Sequence, residues 1–476
     1  MKKSIIVILN ILILIIIVFA ACGLRKSSED IQTITFWHSY QGYQQQIFDR
    51  MVVGYNQTIG AENNVKIVSK YAGEEAVLAA EIEKMYTSDR ESGDLPNIAM
   101  LTKDTAYKAV KYGLVTYAES YMTQNELDGY FEGFLQEGRL SIDSDTYLFP
   151  VSKKLEQTIV NKDLWRDFIK HYPMFSEDTF YSWNGIMRMA DSYYHWTDDM
   201  TPDVPDDGKA FLAIESLESF IYTYTNQKMP SLIQLGYDEI TINANKDAFH
   251  DIWEIYHCGV VNGYISTSKN MADSLQNGEI VCYIGAPGNV KYSSKYLDFD
   301  GKEQKLNIIS VQYPSVYENR IVVPQSGAGA VVFDKGVDAN HAAYDFLKWF
   351  TSNQNIIYLC HAGYEVPSCI AVASSQATLD EVATLFSKNI LQYNLLVCEY
   401  NQLLAHNTYA PVAFTDSDKL AKNITKFLQN SSKAGRSMLE SYIEEGNTYG
   451  EAVEFVCADA VFEQWFVGIL DLVEER

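Results

Sequence analysis

The sequence lacks the short motifs that mark most catalytic and metal sites. Its 476 residues contain no G-x-S-x-G nucleophile motif, no G-x-G-x-x-G or P-loop phosphate motif, and no C-x-x-C or H-x-x-x-H metal motif. His38 and Ser39 cannot act unaided as a nucleophile and its base, because adjacent residues of an extended segment point to opposite faces. No pair stands out among the 62 acidic residues as a hydrolytic pair. We therefore expect no enzymatic activity, no cofactor and no metal site.

Basic residues are scarce as well. The chain has 37 Lys and Arg against 62 Asp and Glu, a net charge of −25. Such an excess argues against binding to nucleic acid and against a basic patch for anionic lipid. A small anionic ligand stays compatible with it, because a local pocket can oppose the sign of the whole chain. With 47% hydrophobic and 21% charged residues the chain is globular, and its length predicts two lobes.

Only one long apolar run occurs, at the N-terminus. Two lysines precede the aliphatic stretch from Ile5 to Ala20, and Ala20 and Ala21 stand before Cys22. This order is typical of a secretory signal followed by a bacterial lipobox, in which Cys22 would be lipidated. Residues 1–21 are then the signal peptide and 22–30 a polar tether, so the body is anchored at the extracytoplasmic face of the membrane. The alternative is an uncleaved anchor helix, although the run is short for one.

Six further cysteines leave the redox state open. An even number in an exported protein permits disulfides. Cys360 and Cys369 flank a short segment and could close it as a loop, but isolated buried thiols are equally expected. The six residues are Cys258, Cys282, Cys360, Cys369, Cys398 and Cys457.

Strand and helix patterns alternate through the first third of the chain. Residues 33–37, 65–71 and 97–101 read as strands, and apolar residues at helical spacing follow each of them, over 43–55, 76–86 and 105–112. This alternation predicts an α/β fold with a parallel sheet and helices on both faces. Further along the chain, the same criteria predict helices over 180–194, 341–359 and 449–473.

Ligands of such sheets bind outside the carboxyl ends of the strands. The rule selects three loops of this chain, Trp37–Gly42, Gly73–Glu75 and Thr102–Asp104. We expect these loops to lie together at one edge of the first sheet.

Several segments, in order, resemble the extracellular solute-binding proteins of ABC importers, the family with maltodextrin-, oligosaccharide- and glycerol-3-phosphate-binding members. The segments are "ITFWHSYQG" (34–42), "DLPNIAML" (94–101), "NKDLW" (161–165), "LQNGEIVCYIGAPGN" (275–289) and "AAYDFLKWFTSNQNIIYLCHAGYEVPS" (342–368). The chain departs from the family pattern in places, as at Asn97, where Asp is commoner. The resemblance covers roughly residues 31–373.

The resemblance implies a two-lobe clamp, in which each lobe is a mainly parallel sheet flanked by helices. Three crossings join the lobes, near Ser152–Leu155, Val323–Ser326 and Val366–Ala373. The first lobe then comprises 31–152 and 326–372, and the second 153–325 and 373–476. The implied function is capture of a sugar or oligosaccharide and its delivery to the permease of an ABC importer, by a protein expected to be monomeric.

Strand ends and family positions together predict the ligand-binding residues. Two lysines in this set would suit an anionic ligand such as a glycerophosphodiester or an acidic sugar, which is the first alternative function. A surface-anchored carbohydrate-active enzyme is the second. The predicted set is Trp37, His38, Ser39, Gln41, Gly42, Glu75, Lys103, Asp104, Lys153, Lys154, Tyr283, Pro287, Ser326, Gly327 and Tyr364.

Structural roles compete with binding at several of these positions. Trp37 and His38 could belong to the core, and Glu75 could be a solvated carboxylate at a helix start. Asp104 could cap the following helix. Lys153 and Lys154 could be solvated at a surface crossing.

Overall fold

The computed structural model describes residues 31–87, 95–140, 145–204, 206–235, 240–292, 295–297 and 303–474. The predicted signal peptide, the predicted tether and Cys22 lie outside these ranges. Within them, none of the helices combines the length and the apolar character needed to span a bilayer.

The first lobe is built on a five-stranded sheet in the order β2-β1-β3-β16-β4. Alternate residues of its strands face opposite sides: Ile98 and Met100 join one hydrophobic cluster, and Ala99 and Leu101 join another. Both faces are therefore covered, as a parallel sheet requires. The strands are β1 (Gln32–His38), β2 (Val65–Tyr71), β3 (Ile98–Leu101), β4 (Val115–Thr116) and β16 (Gly329–Phe333).

The second lobe is built on a five-stranded sheet in the order β10-β7-β11-β6-β14. All residues of its central strands β6 and β11 are buried. The strands are β6 (Gln157–Asn161), β7 (Leu212–Ile214), β10 (Ile265–Ser266), β11 (Cys282–Gly285) and β14 (Ile308–Val311). Two antiparallel strand pairs are also described, β8 (Ile233–Leu235) with β9 (Ile240–Ile242) and β12 (Lys295–Leu297) with β13 (Glu303–Lys305).

A third, four-stranded sheet in the order β17-β5-β15-β18 joins the lobes, and we call it the hinge sheet. Its strands are β5 (Ser152–Leu155), β15 (Val322–Ser326), β17 (Val366–Pro367) and β18 (Asn407–Tyr409). β5 pairs with β15 on one side and with β17 on the other, both antiparallel. The three predicted crossings are therefore neighbours in one sheet. The residue-level lobe boundaries stay a prediction.

Among the described residues, each large sheet contains one strand that runs against the others, and the hinge sheet explains why. β6 follows β5 after one residue, and β16 follows β15 after two. β6 runs antiparallel to β11 and β14, and β16 runs antiparallel to β3 and β4. A strand that enters a lobe from the hinge starts at the carboxyl edge of its sheet, so it must run against the other four. The sheets are mainly parallel, as expected.

Helices cover both large sheets. Those before the first crossing are α1 (Gly42–Gln57), α2 (Ile59–Glu62), α3 (Glu75–Thr87), α4 (Lys103–Lys111), α5 (Gln124–Leu127) and α6 (Glu132–Gly138). Those between the first two crossings are α7 (Lys162–His171), α8 (Trp183–Asp198), α9 (Leu217–Lys228), α10 (Lys246–Ile252), α11 (Gly259–Val261) and α12 (Met271–Gln276). Those after β16 are α13 (Val337–Ser352), α14 (Ile356–Gly363), α15 (Ile370–Ala373), α16 (Gln376–Lys388), α17 (Ile390–Ala405), α18 (Ser417–Glu444), α19 (Tyr449–Val456) and α20 (Asp459–Glu474).

Two of the predicted long helices are broken. The helix expected over 341–359 ends at Ser352 and restarts at Ile356, and the one expected over 449–473 ends at Val456 and restarts at Asp459. The helix expected over 180–194 begins at Trp183, because Ser182 caps it by accepting the N–H of Gly185. The helical spacing of apolar residues continues across both breaks. For this reason the sequence pattern does not reveal where the helices are interrupted.

The last hundred residues pack on the second lobe. Leu395, Leu428 and Trp465 belong to the hydrophobic cluster that also contains the buried residues of β6, β7 and β11. The six cysteines in the described part of the chain are free thiols, and Cys360 and Cys369 are both buried. The alternative of a loop-closing disulfide is therefore not realised in this structure.

A glycine allows α6 to approach the hinge sheet closely, and its replacement should destabilise the protein. A Cβ on Gly133 would lie 2.6 Å from the carbonyl oxygen of Thr408 in β18. We expect Gly133→Ala to lower the free energy of unfolding by about 1–3 kcal/mol in urea titrations, because one of the two backbones must move. Gly54→Ala is the control: it lies in α1 with no atom within 4 Å of its Cβ, and should be stabilising by about 0.5–1 kcal/mol. Equal effects of the two changes would contradict this.

Candidate functional site

The loops that follow β1, β2 and β3 lie at one edge of the first sheet, because these strands are parallel neighbours. Ser39 is half-buried there, and Gln41, Gly42 and Glu75 are exposed. Gly42 has a φ of +55°, and α1 begins at this residue. Glu75 is the first residue of α3. The four residues remain available to a ligand.

Trp37 and His38 belong to the interior. Trp37 is 8% exposed and packs in a core cluster with Leu78 and Ile82, while the Lys70 ammonium lies 3.5 Å from its ring centroid. His38 is fully buried. Of the two roles weighed for this pair, the structural one agrees with their burial.

His38 braces the turn after β1. Its Nδ1 accepts the backbone N–H of Tyr40 at 3.2 Å, and its ring stacks on the Tyr40 ring and meets the edge of Phe48. Burial lowers the pKa of His38 to about 4, so the ring is neutral at physiological pH. Its burial removes it from the groups that a ligand could reach.

Lys103 and Asp104 connect the two lobes at the start of α4. The Lys103 ammonium lies 3.2 Å from Asp104 Oδ2 and 4.0 Å from Oε1 of Glu218, which is in the first turn of α9 on the second lobe. Asp104 Oδ1 accepts the hydroxyl of Ser417, the first residue of α18, at 2.6 Å. The N-cap of α4 is Thr102, so Asp104 is not the cap residue. The cleft between the lobes is thus bridged here.

The facing wall of the second lobe is acidic. Glu215 directly follows β7, and one of its carboxylate oxygens accepts the N–H of Ala286, which directly follows β11, at 2.8 Å. Glu156 stands between β5 and β6 and is 5% exposed. Because β6 is reversed, its first residue pairs with the last residue of β11, which brings Glu156 to the same edge as Glu215.

Glu156 is held protonated near neutral pH. Burial is the main cause that raises its pKa to about 8; the nearby carboxylates of Glu215 and Glu218 raise it further, and a hydrogen bond with Ser219 opposes them. The pKa of Glu218 is also raised, first by burial, although the Lys103 ammonium lowers it. Both carboxyl groups therefore lie in surroundings that disfavour their negative charge.

Lys153 lies inside the hinge sheet rather than in the cleft. Its side chain is 1% exposed, and its ammonium lies 2.8 Å from the carboxylate of Glu137, which is itself 4% exposed. The same ammonium donates to the carbonyl oxygen of Gly327 at 2.9 Å, and Gln325 Nε2 donates to Glu137 at 2.7 Å. This network links α6, β5 and β15. The charge of Lys153 is therefore buried and already neutralised, and its anion contact stays a prediction.

Lys154 points the other way, as alternation in β5 requires. Its side chain is 36% exposed, and its ammonium lies 4.0 Å from the carboxylate of Glu365. Glu365 also accepts the hydroxyl of Ser152 at 2.5 Å. Burial raises the pKa of Glu365 in spite of the lysine. Lys154 therefore remains accessible, and a carboxylate is its nearest charge partner.

The other predicted residues divide between core and hinge. Tyr283 is fully buried within β11, and burial raises its pKa well above the ordinary value, so its predicted ligand contact is not supported. Pro287 is buried just after β11. Ser326 and Gly327 are half-buried where β15 leaves the hinge sheet, and Gly327 has a φ of +115° that favours glycine. Tyr364 is 7% exposed and ends α14 with a left-handed φ of +54°.

The sequence reasoning missed the carboxylates of the second wall, Glu156, Glu215 and Glu218. β7 has only three residues, too few for a clear pattern. Had it been recognised as a strand, the rule that ligands bind at carboxyl ends would have selected Glu215. Nothing in the local sequence marks Glu156, because its position depends on the reversal of β6.

Comparison with known proteins agrees with this architecture. The fold is similar to that of the cyclic alpha-maltosyl-1,6-maltose binding protein from Arthrobacter globiformis, with a TM-score of 0.66 and 15% identity over 91% of this chain and 99% of that chain. It is similar to UgpB from Mycobacterium tuberculosis in complex with glycerophosphocholine, with a TM-score of 0.59 and 14% identity over 92% and 98%. It is similar to the sugar-binding protein MalE from Xanthomonas citri, with a TM-score of 0.61 and 12% identity over 94% and 100%. No curated protein matches the sequence.

Two lobes, three crossings in one hinge sheet and a polar cleft at the facing strand ends define a hinged ligand-binding protein. The family of bacterial extracellular solute-binding proteins matches residues 58–384, which is more than half of the chain. The chain belongs to this family, and an extracytoplasmic location follows from the membership. The similar structures are those of binding proteins and not of enzymes.

Proposed function

We propose that this protein is the solute receptor of an ABC importer and that it captures a carbohydrate in the cleft between its lobes. The carrying observation is that the carboxyl ends of the two large sheets face each other across the hinge sheet. Two of the similar structures bind, by their descriptions, maltose-type or other sugars, which supports a carbohydrate ligand here. The lipobox supports anchoring through Cys22, and the acidic surface gives no support to a nucleic-acid partner.

Capture would proceed by hinge closure. A ligand that contacts both walls stabilises the closed arrangement and shifts the population toward it. The hinge sheet limits this motion to a few backbone torsions, with Gly327 able to absorb changes at the second crossing. The contacts of Lys103 with Glu218 and of Asp104 with Ser417 join the lobes on the ligand side and would break when the cleft opens.

A thermal-shift panel tests the proposed function. The purified protein without residues 1–21 is heated with neutral oligosaccharides of two to six units and with phosphorylated polyols. A true ligand at 100 times its Kd adds about 2.7 kcal/mol to the stability, so we expect the melting temperature to rise by several degrees. Chromatography of the mixture should return the ligand unchanged. Stabilisation by no carbohydrate, or conversion of one to product, would contradict the proposal.

An anionic ligand is the weaker alternative. The similarity to UgpB favours it, since that structure holds a phosphodiester. The two lysines that suggested it are, however, engaged: Lys153 with buried Glu137 and Lys154 near Glu365. The same panel distinguishes the alternatives, because phosphorylated polyols should then be the stabilising ligands.

A further inference from the structure

Carboxylates line both walls of the cleft. The first lobe contributes Glu75 and Asp104 from the loops after β2 and β3, and the hinge side contributes Glu365. Glu215 and Glu218 stand on the second wall, and the neighbouring Glu156 is uncharged near neutral pH. These groups are close enough to influence one another. The negative charge of Glu75 raises the pKa of Glu365, that of Asp104 raises the pKa of Glu218, and those of Glu215 and Glu218 raise the pKa of Glu156.

Each basic side chain of the predicted site lies within 4.0 Å of a carboxylate. Lys153 is buried against Glu137 at 2.8 Å, and Lys154 lies 4.0 Å from Glu365. Lys103 is held by Asp104 at 3.2 Å. A ligand carrying negative charge would enter a cleft with more carboxylates than ammonium groups and would have to displace one of these pairs.

The position of Lys103 shows where a cation is stabilised in this cleft. Its ammonium stands between a carboxylate of each lobe, Asp104 at 3.2 Å and Glu218 at 4.0 Å. Its side chain is only 15% exposed, whereas that of Glu218 is 43% exposed. Glu218 therefore retains a solvent-accessible edge beside this contact between the lobes, and a second positive group there would be attracted to it. An ammonium bound at that edge would also bridge the lobes, as closure requires.

We propose that the cleft selects a carbohydrate that carries positive charge, an amino sugar or an oligosaccharide containing one, with its ammonium directed at Glu218. This inference rests on the proposed function, because it names the ligand class of the same site. Hydroxyl groups would be bound by polar groups of the first wall, such as Ser39 and Gln41, and the ammonium would supply the discrimination. An acidic sugar is rejected by the same carboxylates.

Isothermal titration calorimetry with matched ligands tests the charge preference. The probes are a glucosamine trisaccharide, its N-acetylated counterpart and a galacturonate trisaccharide, each at pH 6 in 20 mM salt. We expect the free amine to bind at least tenfold more tightly than the N-acetyl form and the acidic trisaccharide not to bind. The advantage should shrink in 300 mM salt, because exposed charges are screened.

A charge-matched pair of variants assigns the preference to Glu218. We expect Glu218→Gln to reduce the amine-to-N-acetyl affinity ratio at least fivefold, and Glu444→Gln, an exposed position at the end of α18, to leave the ratio unchanged. Melting temperatures of both variants verify folding. If Glu218→Gln does not fold, Glu218→Asp, which moves the carboxylate back, should reduce the ratio instead.

Three outcomes separate this inference from the proposed function. Equal or tighter binding of the N-acetyl or acidic trisaccharide overturns the charge preference but leaves carbohydrate capture intact. An unchanged ratio in Glu218→Gln overturns the assignment to Glu218. A protein that binds none of the three trisaccharides and no sugar of the neutral panel overturns both proposals.

Discussion

Replacing Lys153 with methionine is expected to lower the free energy of unfolding by about 3–5 kcal/mol. The change would leave the carboxylate of Glu137 buried at 4% exposure without its ammonium partner, which lies 2.8 Å away. It would also remove the donor to the carbonyl oxygen of Gly327. The midpoint of urea unfolding at pH 7, with an unchanged slope, measures the effect.

Two further variants separate pairing from packing at this position. Lys154→Met, on the exposed side of the same strand, should change stability by less than about 1 kcal/mol, because the Lys154 side chain is 36% exposed and lies as far as 4.0 Å from Glu365. Lys153→Met combined with Glu137→Leu should recover most of the loss, since no buried charge is then left alone. If the Lys153→Met protein is as stable as the wild type but no longer binds an anionic ligand, Lys153 is a ligand-binding residue and not a structural one.

Replacing Glu156 with glutamine is expected to stabilise the protein at pH 8 by about 3–5 kcal/mol and to change little at pH 5. The pKa of Glu156 is about 8 in the folded protein, whereas a glutamate in the unfolded chain has a pKa near 4.5. Between these values the folded state binds more protons, so wild-type stability falls as pH rises. Glutamine has no proton to lose and removes this contribution.

Urea titrations from pH 5 to pH 9 measure the difference between the two proteins. The difference should grow by about 1.4 kcal/mol per pH unit between pH 5 and 8 and then level off. A flat difference would show that the carboxyl group of Glu156 is ionised in the folded protein.

The first half of the fold is readable from the sequence because it depends on local pattern. β1, β2 and β3 have four to seven residues each, are followed by helices, and end in polar loops. The crossings could also be located, since the resemblance supplies their order and β5, β15 and β17 coincide with the expected segments. β1, β2, β3 and the loops that follow them are enough to locate the wall of the cleft on the first lobe.

The second wall could not be read in this way because it depends on tertiary structure. The environment of Glu156 comes from strand reversal in a sheet that is completed by β14, about 150 residues later. The partner of Lys153 could not be found from the sequence either, because Glu137 lies in a helix of unrelated pattern. Sequence shows which groups carry charge, but not which of them are already neutralised.

The insertion of β16 between β3 and β4 bears on the order in which the chain can fold during synthesis. β16 comprises Gly329–Phe333, whereas its neighbours end at Leu101 and Thr116. A nascent chain that has not yet produced residue 333 has a gap in the middle of its first sheet, with unpaired edges on β3 and β4. The first sheet is therefore completed only after the five strands of the second large sheet, which end at Val311, have been made.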